Sequence, residues 1–168
     1  MMTKFIIYSV PTLLLLSTLM FWTLIPGGPF ETRKFGHYSP FTLGAFNTFL
    51  TVLGFGSLVV VYFCFAGSQC AYYAAGICGI SYFLVYALDL GKIFPVSPDK
   101  MSGALFIMAV TGLILSIPIT LLSFISASML ETEIEDFELS VFGIILLSIM
   151  VIVGIGIVIF STRVTMKK

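Results

Sequence analysis

The chain has 168 residues, 59% of them apolar and 10% charged, where a soluble domain carries about 45–50% apolar and about 25% charged residues; a water-soluble fold is excluded. Eight basic residues balance eight acidic ones, so no net field recruits nucleic acid, and no basic cluster stands in for one. With a mean hydropathy of +1.14, 17 Phe and 15 Gly, the sequence reads as a polytopic membrane protein, one membrane domain over residues 1–168 whose first partner is the lipid bilayer.

Crossing a hydrocarbon core of about 30 Å takes roughly 20 apolar residues in a helix. Five runs qualify, at about 5–25, 41–65, 70–90, 102–127 and 139–161. Each is near-continuously apolar, whereas the strands of a membrane barrel alternate apolar with polar over about ten residues. The expected fold is therefore all-α, a five-helix transmembrane bundle.

The first span starts after Met1-Met2-Thr3-Lys4, and Leu24-Ile25-Pro26-Gly27-Gly28 lacks the small-x-small pattern of a cleavage site, so it is read as retained. Pro11 lies inside it and frees the carbonyl of Ile7, a structural kink. Ser39-Pro40 opens the second span, since Ser caps orphan backbone N–H groups and Pro suits the first helical position. Within that span Asn47, Thr48 and Thr51 form a polar group, with Asn47 and Thr51 four residues apart on one face. Asn47 lies roughly 10 Å from the helix start, deep enough to need a partner. Such side chains hydrogen-bond across helices, at an average worth near 0.6 kcal/mol; the competing role is to line a solute pathway.

Gly67-Ser68-Gln69 leaves room only for a tight turn, with Ser68 at the cap of the third span, so spans two and three form an antiparallel hairpin. Small residues recur every four positions at Ala71, Ala75 and Gly79 on span three and at Gly112, Ser116 and Thr120 on span four, a spacing that lets helix backbones approach closely. Asp89 stands in the last turn of span three. A carboxylate there is costly unless paired, and the preferred reading pairs it with Lys92 or Lys100 at the headgroup level. The alternative makes it a proton or cation site that joins Asn47 and Thr51 in a cytoplasm-facing pathway.

Ile93-Phe94-Pro95 followed by Asp99, between two spans, resembles over fewer than ten residues the loop of some uncharacterised bacterial polytopic families and of DRAM-type proteins, but the usual sixth span is missing and no function is carried over. Ser97-Pro98-Asp99 is expected to open span four. Pro118, inside it, frees the carbonyl of Ile114, with Ser116 and Thr120 beside it to heal the kink. A shift of 58 residues superposes Ser39-Pro40 on Ser97-Pro98 and Gly54 on Gly112, a pattern open to a parallel repeat or to chance. Thr132 and Glu135 have capping-box spacing before span five. The acidic stretch 131–138 fits no calcium-loop pattern and reads as a solvated helix start whose acids complement the positive helix end.

Cys64 and Cys70 flank the turn, where an oxidising exterior would join them; otherwise they behave as small hydrophobes. With His37 the single histidine, no metal site and no cofactor is expected. No GxSxG, HExxH or P-loop occurs, so the usual reagents of catalysis are missing and the chain is not expected to be an enzyme.

With five crossings, the amino terminus, the 66–69 turn and the 128–138 loop share a side and hold only Lys4. The other side holds Arg33, Lys34, Lys92, Lys100, Arg163, Lys167 and Lys168. Basic residues stay cytoplasmic, which puts the carboxyl terminus inside and the amino terminus outside a plasma (inner) membrane. Packing features outnumber chemical ones. The expected role is an accessory or assembly subunit that packs against other membrane proteins or itself, and the alternative is a transporter or channel protomer using Asn47, Thr51 and Asp89.

Overall fold

Lipid offers no hydrogen bonds, so each spanning segment must satisfy its own backbone, and continuous apolar runs can do so only as helices. A computed structural model describes residues 2–26, 28, 30–130 and 141–166. It contains α1 (Met2–Trp22), α2 (Pro40–Phe65), α3 (Gln69–Leu90), α4 (Gly103–Met129) and α5 (Val141–Thr165). All five are long and apolar enough to cross a membrane, and no strand occurs among the described residues. The acidic stretch 131–138 and the Thr132–Glu135 cap lie outside the described residues.

Local chemistry sets the helix ends. Ser39 caps α2, its Oγ accepting from Thr42 N at 3.1 Å. That helix closes in a Schellman turn: Ser68 N donates to Phe63 O and Gly67 N to Cys64 O, both at 3.1 Å, with Gly67 at φ +88°, where a Cβ would be strained. Ser68 stands at the α3 cap without a side-chain cap bond. The start of α4 differs from the expectation. Its cap is Ser102, whose Oγ accepts from Leu105 N at 3.2 Å, five residues beyond Ser97. The Ser97 hydroxyl instead donates to Lys34 O at 2.9 Å, and the Asp99 carboxylate accepts from Lys34 N at 2.9 Å. Ser97-Pro98-Asp99 thus stitches two loops together rather than opening a helix. The starts of α2 and α4, at residues 40 and 103, are accordingly out of step with a 58-residue shift.

α1 packs against α2, α3 and α4, and α3 packs along α4. The two small-residue ridges meet at this last seam. A Cβ on Gly79 would stand 2.5 Å from Thr120 Oγ1, and one on Gly112 would run into the Tyr86 ring. Ala71, Ala75, Gly79, Gly112 and Ser116 are buried there, with Thr120 half-buried. Among the described helices, α5 packs on α2 alone. Only 11% of its span is buried, against 44% for α3.

The two prolines are handled differently. The Tyr72 hydroxyl lies 3.2 Å from Ile7 O, the carbonyl that Pro11 frees, and 3.0 Å from Cys64 O, so a tyrosine of α3 heals the α1 kink. Near Pro118, Ser116 donates to Leu113 O at 2.6 Å and Thr120 to Ser116 O at 2.8 Å; neither hydroxyl goes to the Ile114 carbonyl expected to receive it. Deeper in the bundle, Thr18 donates to Leu14 O, its Oγ1 lies 3.1 Å from the Tyr82 hydroxyl, Tyr82 donates to Ser57 Oγ at 3.1 Å and Ser57 to Leu53 O at 2.7 Å. This neutral chain links α1, α3 and α2.

Candidate functional site: a buried charge cluster at one end of the bundle

After α1 the chain turns through hydrogen bonds from Leu24 N to Phe21 O at 3.0 Å and from Gly28 N to Ile25 O at 2.9 Å. It then runs without regular structure past the bundle end. Residues 31–35 alternate strictly: Glu31, Arg33 and Phe35 are buried while Thr32 and Lys34 are exposed, as an extended segment with one face inward requires. Phe35 N donates to Thr165 O at 2.9 Å, which fixes this segment to the end of α5.

The inward face carries charge against the last turn of α3. Arg33 Nε donates to Glu31 Oε1 at 2.9 Å and Nη2 to Glu31 Oε2 at 2.5 Å. On its other edge Nη1 donates to Asp89 Oδ1 at 2.8 Å and Nη2 to Asp89 Oδ2 at 3.0 Å. One guanidinium therefore holds two carboxylates bidentately, a geometry its planar fork allows and an ammonium does not. It also lies over the Phe35 ring, 5.5 Å from the centroid. Glu31 and Arg33 are 5% and 8% exposed, and the Asp89 side chain 14%. Burial works against the Arg33 charge, but hydrogen bonds and charge from Glu31 and Asp89 outweigh it and raise its pKa above the ordinary value.

Asp89 is thus paired with Arg33 and not with Lys92 or Lys100. Lys92 occupies a left-handed position just past α3, at φ 53°, and is exposed. Arg33 presents two donors along each edge from a segment already pressed on Asp89.

A cavity of about 60 Å³ adjoins the cluster, lined by Glu31, Arg33, Asp89, Asn47, Tyr86 and Thr165 among apolar neighbours that include Phe21 and Phe46. Asn47 Nδ2 donates to Thr162 Oγ1 at 3.0 Å, tying α2 to α5. Thr51 donates to the Asn47 carbonyl at 2.7 Å; it lines a neighbouring cavity of about 50 Å³ that Asn47 also lines, together with Ser161. The structure therefore brings Asn47 to Asp89 through one cavity and to Thr51 through the other. The buried hydroxyls of Tyr86 and Ser161 have no hydrogen-bond partner.

Glu31, Arg33, Tyr86 and Thr165 were not among the residues that the sequence singles out. No feature of the sequence sets the buried Arg33 apart from the exposed Lys34 beside it. Cys64, Cys70 and Cys78 are free thiols, Cys64 buried and Cys70 exposed. Among the described residues no three His, Cys, Asp or Glu come together as a metal site.

Fold and cluster together define a helical protein with five membrane-competent spans and an ion network closing one end. Residues 6–137 match the family described as a domain of unknown function, DUF8051, and the chain belongs to that family. The match takes in α1 from residue 6, α2–α4 and the whole charge cluster, and ends before α5. Neither the curated proteins nor the solved structures include a match to the chain.

Proposed function

We propose that this protein is a non-enzymatic subunit of the plasma (inner) membrane that works by association, docking on another membrane protein or on its own copy through α5. The supporting observation is that α5 has one helix neighbour and 11% of its span buried. Between helices in lipid there is no hydrophobic drive, so association rests on close packing of small residues. The ridges on α3 and α4 are already engaged with each other. By contrast, a Cβ on Gly156 of α5 meets nothing within 4 Å, which leaves a small residue open for a neighbour. The uneven distribution of basic residues supports an outer amino terminus and a cytoplasmic carboxyl terminus.

Purification of the full chain in mild detergent is expected to return a stoichiometric protein partner or a dimer, and Gly156→Leu to release it without unfolding the chain. A monomer in both cases overturns the reading. A second reading, a transporter or channel protomer, is favoured by one observation: Asn47 and Asp89 line the same cavity beside an excess of negative charge. Proton- or cation-dependent flux in proteoliposomes that vanishes in Asp89→Asn would put it in first place.

A further inference from the structure

We propose that the cavity beside Glu31, Arg33 and Asp89 binds a small monovalent cation. Two carboxylates share one guanidinium, so the cluster has a formal charge of −1 while largely removed from water. An uncompensated charge in such a place is unfavourable until something of opposite sign joins it. No other basic side chain among the described residues does so: Lys34, Lys92, Lys100 and Arg163 are exposed, and none makes a salt bridge to the cluster.

The other polar atoms around the cavity are suited to the same ligand. Tyr86 is 2% exposed, lines the cavity and has a hydroxyl without a partner. Unlike the orphan serines Ser17, Ser123 and Ser126, a tyrosine hydroxyl cannot turn back onto its own helix carbonyls. Asn47 has its amide nitrogen engaged by Thr162, which leaves the amide oxygen as an acceptor. The Thr165 hydroxyl donates to Ser161 O at 2.8 Å and keeps its lone pairs. Acceptors therefore outnumber free donors, and the net charge is negative.

Size and ligand number narrow the class. A cavity of about 60 Å³ exceeds the roughly 10–15 Å³ that one water needs, so an ion with a little water, or a compact ammonium group, fits. A divalent metal is disfavoured because the described residues offer no trio of acidic, His or Cys ligands and Arg33 already sits between the two carboxylates. Binding is separate from the docking of α5, and a cation that is held and never transported satisfies it.

The test uses the full-length protein in detergent, at constant ionic strength made up with N-methylglucammonium chloride, a cation too bulky for the cavity. Thermal unfolding is followed while Na⁺, K⁺ or methylammonium replaces it. The expected result is a saturable rise in the unfolding midpoint with at least one of them: a response to Na⁺ or K⁺ identifies an alkali-ion site, and one confined to methylammonium an organic ammonium site. Asp89→Asn should weaken apparent affinity roughly tenfold or more, and Tyr86→Phe roughly threefold, the range for losing a charged and a neutral hydrogen-bonding partner. Lys92→Ala should leave the response unchanged. Absence of any saturable response in the unaltered protein overturns the proposal, as does an unaltered response in Asp89→Asn. If that variant does not fold, Tyr86→Phe decides in the same way.

Discussion

The interior hydroxyl chain and the charge cluster solve the same problem at two depths. Tyr82 lies eight residues before the end of α3, roughly 12 Å along the helix, and there only neutral groups are used. Thr18, Tyr82 and Ser57 are each fully or almost fully buried, and the chain ends at both sides on a helix carbonyl. Asp89 lies one residue from the end of α3, and there full charges are allowed, with a small residual exposure. Depth selects the chemistry, because a hydroxyl can fall back on its own helix when a partner is lost and a carboxylate cannot. The neutral chain terminates on backbone acceptors, while the charged one retains an unmatched negative charge.

The contrast is broken most severely at Arg33. Arg33→Met leaves two buried carboxylates facing each other, and loss of one partner of a buried network costs about 3–5 kcal/mol; unfolding in detergent followed by circular dichroism measures it, and a loss no larger than that of Tyr82→Phe would erase the distinction between the regions. Next in size is the seam that holds both regions in register. Gly79→Leu drives bulk into Thr120 and is expected to destabilise by about 1–3 kcal/mol, whereas Gly44→Leu, where a Cβ meets nothing within 4 Å, should be tolerated in the same assay. Tyr82→Phe removes the middle of the neutral chain and should lose about 0.6 kcal/mol, with roughly 1.7 as an upper bound. Smallest of all is Lys92→Ala, expected to change stability by less than about 0.5 kcal/mol; a drop matching that of Arg33→Met would restore Lys92 as the partner of Asp89.

Hydropathy made all five spans legible, with the predicted ends within four residues of the helices, because a lipid-facing helix must be apolar along its whole length. Asp89 was legible as an anomaly for the same reason. Its partner was not: Lys92, three residues away, is the nearer cation in sequence, but Arg33, 56 residues away, is the nearer one in space. Nothing in Glu31-Thr32-Arg33-Lys34-Phe35 tells the buried Arg33 from the exposed Lys34 beside it, and loop charges inform topology before they inform packing. Ser-Pro at 97–98 resembles the Ser39-Pro40 cap in composition, and only the position of Lys34 shows that its hydroxyl is engaged elsewhere. Thr18, Ser57 and Tyr82 left no trace, since contacts among three helices have no characteristic spacing. Ala71, Ala75 and Gly79 announced a seam by their period; that Gly112, Ser116 and Thr120 lie on its other side is information about topology.

The arrangement of the cluster also orders events in time. Glu31 and Arg33 are two residues apart, so their pair can form as soon as the segment after α1 has been synthesised, with almost no loop to close. Asp89 arrives only after α2 and most of α3. On this order the early pair is expected to offset the arginine's charge until α3 supplies the second carboxylate. In Glu31→Gln the waiting arginine has no local counter-charge, and pulse-labelled chains should show slower gain of protease resistance in α1–α3 than chains altered at Asp89, whose defect comes after that step.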